Sequence, residues 1–375
     1  MNNIYQEGKD FAKSYILPYT ELTDKESRFP EESFQKLGEN GFLKLLVPEE
    51  FGGCGKGLVE HTKACLAFAE TCSTTALCYM MHNVALMCIN TYGSDELKKK
   101  IYIDIVENGK FMALAYSEIG TGTHFYKPEV NVEVNGENST FNGRKSMVTS
   151  ATHASYYLVL APSVEEGKIN NWVFPLDSKG LTFEMSNWNG LGMRGNSSCP
   201  MNIDNVTLDS SYRIGPEGSG QEQVFNVVAP FFISGLAAVY SGTAMHMFNV
   251  ISNYATERKY PDGSTLSNIE TVQIHIGQIY KNAAAARAMT VEAANAGANG
   301  ESDALAKILA ARVFASETAI ECGRIAMRVG GGKAYNKALP IERLLRDSYA
   351  GQVMAPSTDV LTVWLGKTLT GQMIP

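Results

Sequence analysis

The apolar residues of this chain change period twice, and that change limits the folds it can adopt. From about residue 3 to 112 they recur at helical spacing, from about 113 to 220 they alternate along short runs, and from about 221 the 3.6-residue spacing returns. Helices, then strands, then helices predict an α+β enzyme with three zones: an N-terminal α-helical domain (1–112), a middle antiparallel β domain (113–220) and a C-terminal helical bundle (221–375). At 375 residues the chain can bury two or three cores.

Local signals agree with the zones. FPEESFQKLGENGFLKLL reads as a proline-started helix ending near Gly41, and GSDELKKKIYIDIVENGK as a serine-capped one. LVEHTKACLAFAETCSTTALCYMMHNVALMCINTYG is apolar on several faces, so at least one helix there is internal. VNVEVNGENSTFNGRKSMV alternates around Asn135-Gly136, a hairpin signal. In the last zone Gly330-Gly331-Gly332 breaks a long helix and Pro340 opens the next.

A formal charge of −7 and a pI near 5.5 argue against a nucleic-acid or membrane-surface binder, while leaving room for a local basic pocket that takes a phosphorylated cofactor. The seven cysteines form no CxxC pattern and suit buried free thiols. MNNIYQEGKD has no apolar signal core, and no stretch has the roughly 18–20 apolar residues of a membrane span, so the expected location is the cytoplasm. With no HxxxH or HExxH a metal site is not expected, and neither GxSxG nor a Cys–His–Asn set points to nucleophilic hydrolysis.

Three segments are candidates for chemistry. AYSEIGTGTH (115–124) sets two glycines among hydroxyls at the helical-to-β boundary; such a loop can offer N–H groups to an anion or polar ring, and a plain turn explains it equally well. NYATERKYPDG (253–263) ends a helix in Glu257, Arg258 and Lys259, where cations also simply complement the helix dipole. MRVGGGKAY (327–335) has more glycines than a helix end needs, which favours close approach of a ligand. His82 and His275 read as core or surface histidines; His124 differs in ending the glycine loop.

Taken together, these segments resemble the acyl-CoA dehydrogenase family of flavoproteins, nearly end to end. RFPEESFQKLGENGFLKLLVPEEFGGCGKG resembles the family's N-terminal helix and turn, and AYSEIGTGTH its T-E-x-G-x-G-S loop. WNGLGMRGNSSCPMNIDNVTLDSSYRIGPEGSG resembles the end of its β domain; ERK, IETVQ and GGGKAYNKALPIERLLRD continue the family order. The resemblance implies a helical domain, a β domain and a C-terminal four-helix bundle, assembled as a homodimer or homotetramer, with FAD between the β domain and the bundle. It implies that Leu114, Tyr116, Ser117, Gly122 and Thr123 line the isoalloxazine and pyrophosphate, and that Met147, Val148 and Thr149 stand where the family usually has Trp, Ile and Thr. Arg258, Ile269 and Glu270 would come from the partner chain, Arg328, Gly331 and Gly332 would meet the far end of FAD, and Ser357 to Asp359 would close the site. Met147 for Trp, Pro261-Asp262 for Phe-Gly, and Glu270 and Arg328 for Gln are departures that alter those contacts.

The family's usual reaction on an acyl thioester pairs hydride loss from the β carbon with removal of the α proton by a carboxylate. Counting from Arg346-Asp347 puts that carboxylate at Ala355, and the alternative place on an earlier helix falls at about Phe232. Both places are apolar, which leaves water or Asp359 as the acceptor. The ending RDSYAGQVMAPSTDVLTVWLGKTLTG resembles a branch that oxidises short acyl units on a carrier protein, forming amino- or hydroxymalonyl-type extender units in secondary metabolism. Such units have a more acidic or already enolised α position. The expected substrate is therefore an acyl thioester on a carrier protein or CoA. The alternatives are a flavin monooxygenase on the same fold, an ordinary acyl-CoA dehydrogenase with a relocated base, and a non-catalytic relative.

Overall fold

The computed structural model describes residues 3–374. Six helices open the chain: α1 (Ile4–Tyr15), α2 (Thr20–Lys25), α3 (Glu31–Glu39), α4 (Leu58–Ala69), α5 (Ser73–Tyr92) and α6 (Asp95–Asn108). Helix α3 starts after Pro30, and the chain turns at Gly41 with φ +80°, where a side chain would be strained. The Ser94 hydroxyl caps α6 by accepting from the Leu97 N–H at 3.2 Å. Helix α5 is the internal one, buried along nearly all of its length. His82 lies on it with both ring nitrogens used, one 2.7 Å from the Leu43 carbonyl and the other accepting from the Met112 N–H at 3.1 Å. That makes it a core histidine.

The β domain holds two four-stranded sheets, β1-β4-β5-β8 and β2-β3-β7-β6. The strands are β1 (Met112–Ala115), β2 (Asn131–Asn135), β3 (Asn138–Val148), β4 (Tyr156–Pro162), β5 (Ile169–Pro175), β6 (Leu181–Phe183), β7 (Cys199–Asp209) and β8 (Arg213–Ile214). The Asn135-Gly136 signal is the β2–β3 turn, with Asn135 opposite Asn138 and Gly136 at φ +62°. Pairing is antiparallel throughout except for β1–β4, which is parallel. Strand β1 leaves the helical domain directly and reaches β4 only after the chain has crossed to the other sheet and back, so the two run the same way.

The last zone comprises α7 (Gly220–Gln223), a π-helical turn at Val224–Val228, α8 (Ala229–Glu257), α9 (Glu270–Asn299), α10 (Ala304–Tyr335), α11 (Ile341–Val353) and α12 (Thr358–Leu369). Helix α10 is kinked at Gly331, where φ +51° and ψ −135° suit only glycine. One continuous helical stretch, Gly220–Glu257, is long and apolar enough to cross a membrane, contrary to the sequence expectation that none would be; 83% of its most apolar window is buried, so it is the core helix of the bundle. All seven cysteines are free thiols, and six are buried.

Candidate active site

A cavity of about 420 Å³ opens where the β domain meets the bundle. On its β side lie Leu114 at the end of β1, Tyr116, Ser117, Glu118, Gly122 and Phe125 of the following loop, and Ser146, Met147 and Thr149 at the end of β3. Trp188, Gly192, Met193, Asn196 and Ser198 come from the β6–β7 connection. Met81 of α5, Val228, Ala229, Phe232 and Ile233 at the head of α8, and Ala350 to Pro356 around the end of α11 complete the wall, Gly351 and Gln352 excepted.

Each wall is pinned by buried polar contacts. Ser146 N–H donates to the Ser117 carbonyl at 2.8 Å, fastening the glycine loop to β3. The Glu118 carboxylate does more: one oxygen accepts from Lys145, and the other accepts from the Glu129 N–H at 2.8 Å. Lys145 and Glu118 are 0% and 4% exposed, and the ammonium also donates to the Leu160 carbonyl at 2.6 Å. Burial pulls the Lys145 ammonium down while the Glu118 charge pushes it back up. A buried ion pair thus ties both ends of the loop to the sheet. Tyr116 donates to Asn171, whose amide donates to Gln223 at 2.9 Å, joining the β domain to α7; burial raises the phenol well above its ordinary range.

The connection 188–198 is held from both sides. Trp188 Nε1–H donates to the Arg194 carbonyl at 2.7 Å, Asn196 Oδ1 accepts from Ser198 N–H at 3.0 Å, and the Ser198 and Thr149 hydroxyls are 3.1 Å apart. From α11, Asp347 accepts from the Met193 N–H at 2.6 Å, and Arg346 donates to the Leu191 carbonyl at 3.0 Å while binding Asp24 and Glu342. Gly192 lies so close to the Arg346 backbone that a Cβ would overlap it. Burial pushes the Asp347 carboxyl up to about 6, against the pull of the Met193 N–H and of Arg343.

Of the residues expected at the site, Leu114, Tyr116, Ser117, Gly122, Met147 and Thr149 line the cavity, together with Ala355 and Phe232. Val148 is buried behind them and Thr123 sits next to Gly122. Arg258 ends α8 with its guanidinium 5.2 Å from the Tyr260 ring, and Ile269 and Glu270 are exposed at the start of α9. Arg328, Gly331 and Gly332 lie at the kinked end of α10, Ser357 caps α12 through the Val360 N–H, and Asp359 is exposed on its first turn. None of these last eight lines the chain's own cavity. His124 is outside it too, exposed and 3.0 Å from the Tyr126 hydroxyl.

Sequence reasoning named no site residue in the 188–198 connection, although Met193 and Ser197 adopt left-handed backbone there. Its one signal was the GLGMRGNSS run, which gives no hint of a Thr149–Ser198 contact between distant segments. Lys145, the partner of Glu118, was passed over for the same reason. A lysine at an inward position of an alternating strand was the available clue.

The lining suits a flat heterocycle with polar edges. Apolar walls predominate, and hydroxyls of Ser117, Ser146, Thr149 and Ser198 stand among them. Gly122, at φ +52°, has open space where a Cβ would be, so a ligand can meet its backbone directly. Among the described residues the Thr149 and Ser198 hydroxyls pair only with each other, and each keeps hydrogen-bonding capacity for a ring nitrogen or carbonyl. The residues present therefore fit a flavin. Among the described residues no three His, Cys, Asp or Glu side chains gather to hold a metal ion.

Comparison with known proteins agrees with this geometry. The chain matches the acyl-CoA dehydrogenase N-terminal domain over residues 2–108, the middle domain over 113–206 and the C-terminal domain over 234–369. It is 26% identical to the probable acyl-CoA dehydrogenase YngJ of Bacillus subtilis, covering 96% of this chain and 95% of that one. Its fold is similar to glutaryl-coenzyme A dehydrogenase in complex with glutaryl-CoA (TM-score 0.91, 23% identity, 99% and 95% of the two chains). It is also similar to the prolyl acyl carrier protein oxidase AnaB (0.87, 22%, 98% and 97%) and to FkbI, which serves biosynthesis of a methoxymalonyl extender unit (0.86, 18%, 99% of each).

Proposed function

This chain belongs to the acyl-CoA dehydrogenase family of FAD-dependent oxidoreductases, and on that premise we propose that it oxidises a short acyl thioester carried by an acyl carrier protein, without a carboxylate base, in making an amino- or hydroxymalonyl-type extender unit. One observation carries the reading. Ala355 and Phe232 both face the cavity, and the single carboxylate in its lining, Glu118, is engaged by Lys145 and the Glu129 N–H. No side chain in the wall is free to take an α proton.

When bound, FAD would supply the oxidising capacity, as an acceptor of a hydride equivalent. Thr149, Ser198 and the Gly122 backbone would hold the ring system, and Ser117 and Thr123 would continue toward the pyrophosphate. Arg258, Ile269 and Glu270 would reach a neighbouring copy's FAD, and Arg328, Gly331 and Gly332 would meet the far end of FAD; their exposed places away from the chain's own cavity support that division in a homodimer or homotetramer. Met81, Phe232 and Ile233 add apolar wall to the cavity, which suits a short acyl group. The proton leaves to water from a substituted carbon whose amino or hydroxyl group has already made it labile, or from that group's own N–H or O–H. Asp359, exposed on α12, is not placed to receive it. The likeness to AnaB and FkbI supports the carrier protein and the extender unit.

The test is anaerobic mixing of the FAD-loaded protein with seryl, glyceryl and prolyl thioesters, each on a carrier protein and on CoA. Bleaching of flavin absorbance by a substituted acyl group on the carrier is the expected result. Bleaching only by plain butyryl-CoA restores the ordinary dehydrogenase. Product that forms only after external reduction and admission of oxygen points instead to a monooxygenase.

A further inference from the structure

Behind the wall that carries Ala355, the bundle buries a cation that has no acid beside it. Arg312 of α10 is wholly buried. One of its terminal nitrogens donates to the Gly351 carbonyl at 2.8 Å, and the other donates to the Ser316 hydroxyl. Among the described residues its Nε has no hydrogen-bond partner, and neither has the hydroxyl of Tyr240, whose ring centroid lies 5.1 Å from the guanidinium. Among the described residues Arg312 forms no ion pair. Burial lowers the guanidinium to about 10, so it stays charged at neutral pH.

Its position matters more than its burial. Gly351 is in the last turn of α11, where carbonyls lack helical partners, and its neighbour Ala350 and nearby Val353 line the cavity. A Cβ at Gly351 would stand 3.0–3.1 Å from the Tyr240 ring, so this turn is clamped between Tyr240 and Arg312. Capping one carbonyl needs only a neutral donor; a desolvated charge without counter-ion is costly for that purpose alone. The other charged or titratable groups around it make their own bonds elsewhere. On α11, Asp347 accepts from Met193 and its charge also acts on Tyr240, Arg346 faces Asp24 and Glu342, and Arg343 acts on Asp347 and on His246 of α8. His246 itself is kept neutral by burial.

We propose that Arg312 is a positioning residue that fixes the last turn of α11 and sets a permanent positive charge behind the cavity wall, so that the site stabilises an acyl thioester as its enolate where no carboxylate is present to take the α proton. The inference rests on the acyl-thioester reading above. In the step, the α C–H bond breaks, the proton passes to water, and the electron pair is delocalised onto the thioester oxygen. A fixed charge in a dry interior acts over several ångströms without reorganising.

The probe is the 3-oxobutyryl thioester of pantetheine, whose enolisation is followed by near-ultraviolet absorbance across pH on the FAD-loaded protein. Bound to the wild type, it is expected to enolise at lower pH than in solution. R312M should raise that pH by about one unit, a loss of roughly tenfold, whereas R312K should keep the wild-type value. Methionine is chosen because an apolar side chain of similar volume commonly replaces a buried charge without loss of stability. An unchanged enolisation pH in R312M, with the flavin spectrum intact, reduces Arg312 to a helix cap and overturns the proposal. So does a shift in R312K as large as in R312M; if R312M does not fold, R312Q, which keeps a donor and loses the charge, takes its place, and an unchanged enolisation pH in it overturns the proposal equally. A wild-type protein that binds no acyl thioester removes the functional reading, and this inference with it.

Discussion

Asp347→Asn tests the electrostatics of the cavity wall. The carboxyl is buried on α11 and accepts from the Met193 N–H at 2.6 Å; burial raises it from an ordinary 3.8 to about 6. A raised carboxylate means that the folded state holds its proton more tightly than the unfolded chain does. The associated stability is therefore complete below pH 3.8 and is lost as pH rises through about 6. At 1.36 kcal/mol per pH unit, that span is about 3 kcal/mol, fully lost by pH 8 and about half lost at pH 5. Asparagine keeps an oxygen for Met193 and does not titrate. Asp347→Asn is therefore expected to be more stable than wild type by about 3 kcal/mol at pH 8 and by about half that at pH 5. Urea unfolding of both proteins at the two pH values, followed by circular dichroism, measures the gap. A gap independent of pH refutes the titration argument. A variant less stable than wild type at pH 8 means that the charged bond to Met193 outweighs the cost of burial.

Ala355→Glu places a carboxylate on the wall opposite the β-domain residues. It should confer butyryl-CoA oxidation, by roughly 10²–10⁴-fold over wild type if general-base geometry is met, measured as the rate of anaerobic flavin bleaching; no gain with flavin still bound would show that the wall is misplaced. Lys145→Met leaves the Glu118 carboxylate buried beside a single N–H, and should cost about 3–5 kcal/mol of stability and weaken FAD binding. Thermal unfolding with and without added FAD reads both effects. Ser94→Ala removes the α6 cap remote from the cavity and should cost about 1 kcal/mol while leaving flavin affinity unchanged.

How much of this was legible in the sequence varies with the range of the interaction. Gly41, Ser94, Asn135-Gly136 and Pro340 each act within a few residues, so composition alone located the turns and caps they make. Leu114 to Gly122 and Met147 to Thr149 could be named because a family pattern is printed along contiguous sequence. Contacts that span the chain could not be read this way. Lys145 meets Glu118 because β3 carries it inward beneath the loop, and Asp347 meets Met193 across more than 150 positions. The parallel β1–β4 pair was equally hidden, since strand direction follows from where the chain travels between strands and not from the strands themselves. Arg312 looked like one more helical cation until the bundle closed around it.

The π-helical turn at Val224–Val228 has a consequence for comparing relatives. Hydrogen bonds there skip one residue more than in an α-helix, so the turn absorbs an extra position without a bulging loop. One residue is about 100° of helix face. Two homologues that differ in this turn will therefore agree when numbered back from the bundle and disagree by one when numbered forward from the β domain. Whether a relative has a carboxylate where Phe232 faces the cavity depends on which direction is counted. Gaps placed in this turn, and not after it, keep the comparison in register. Descent within the family is then best traced from the bundle side.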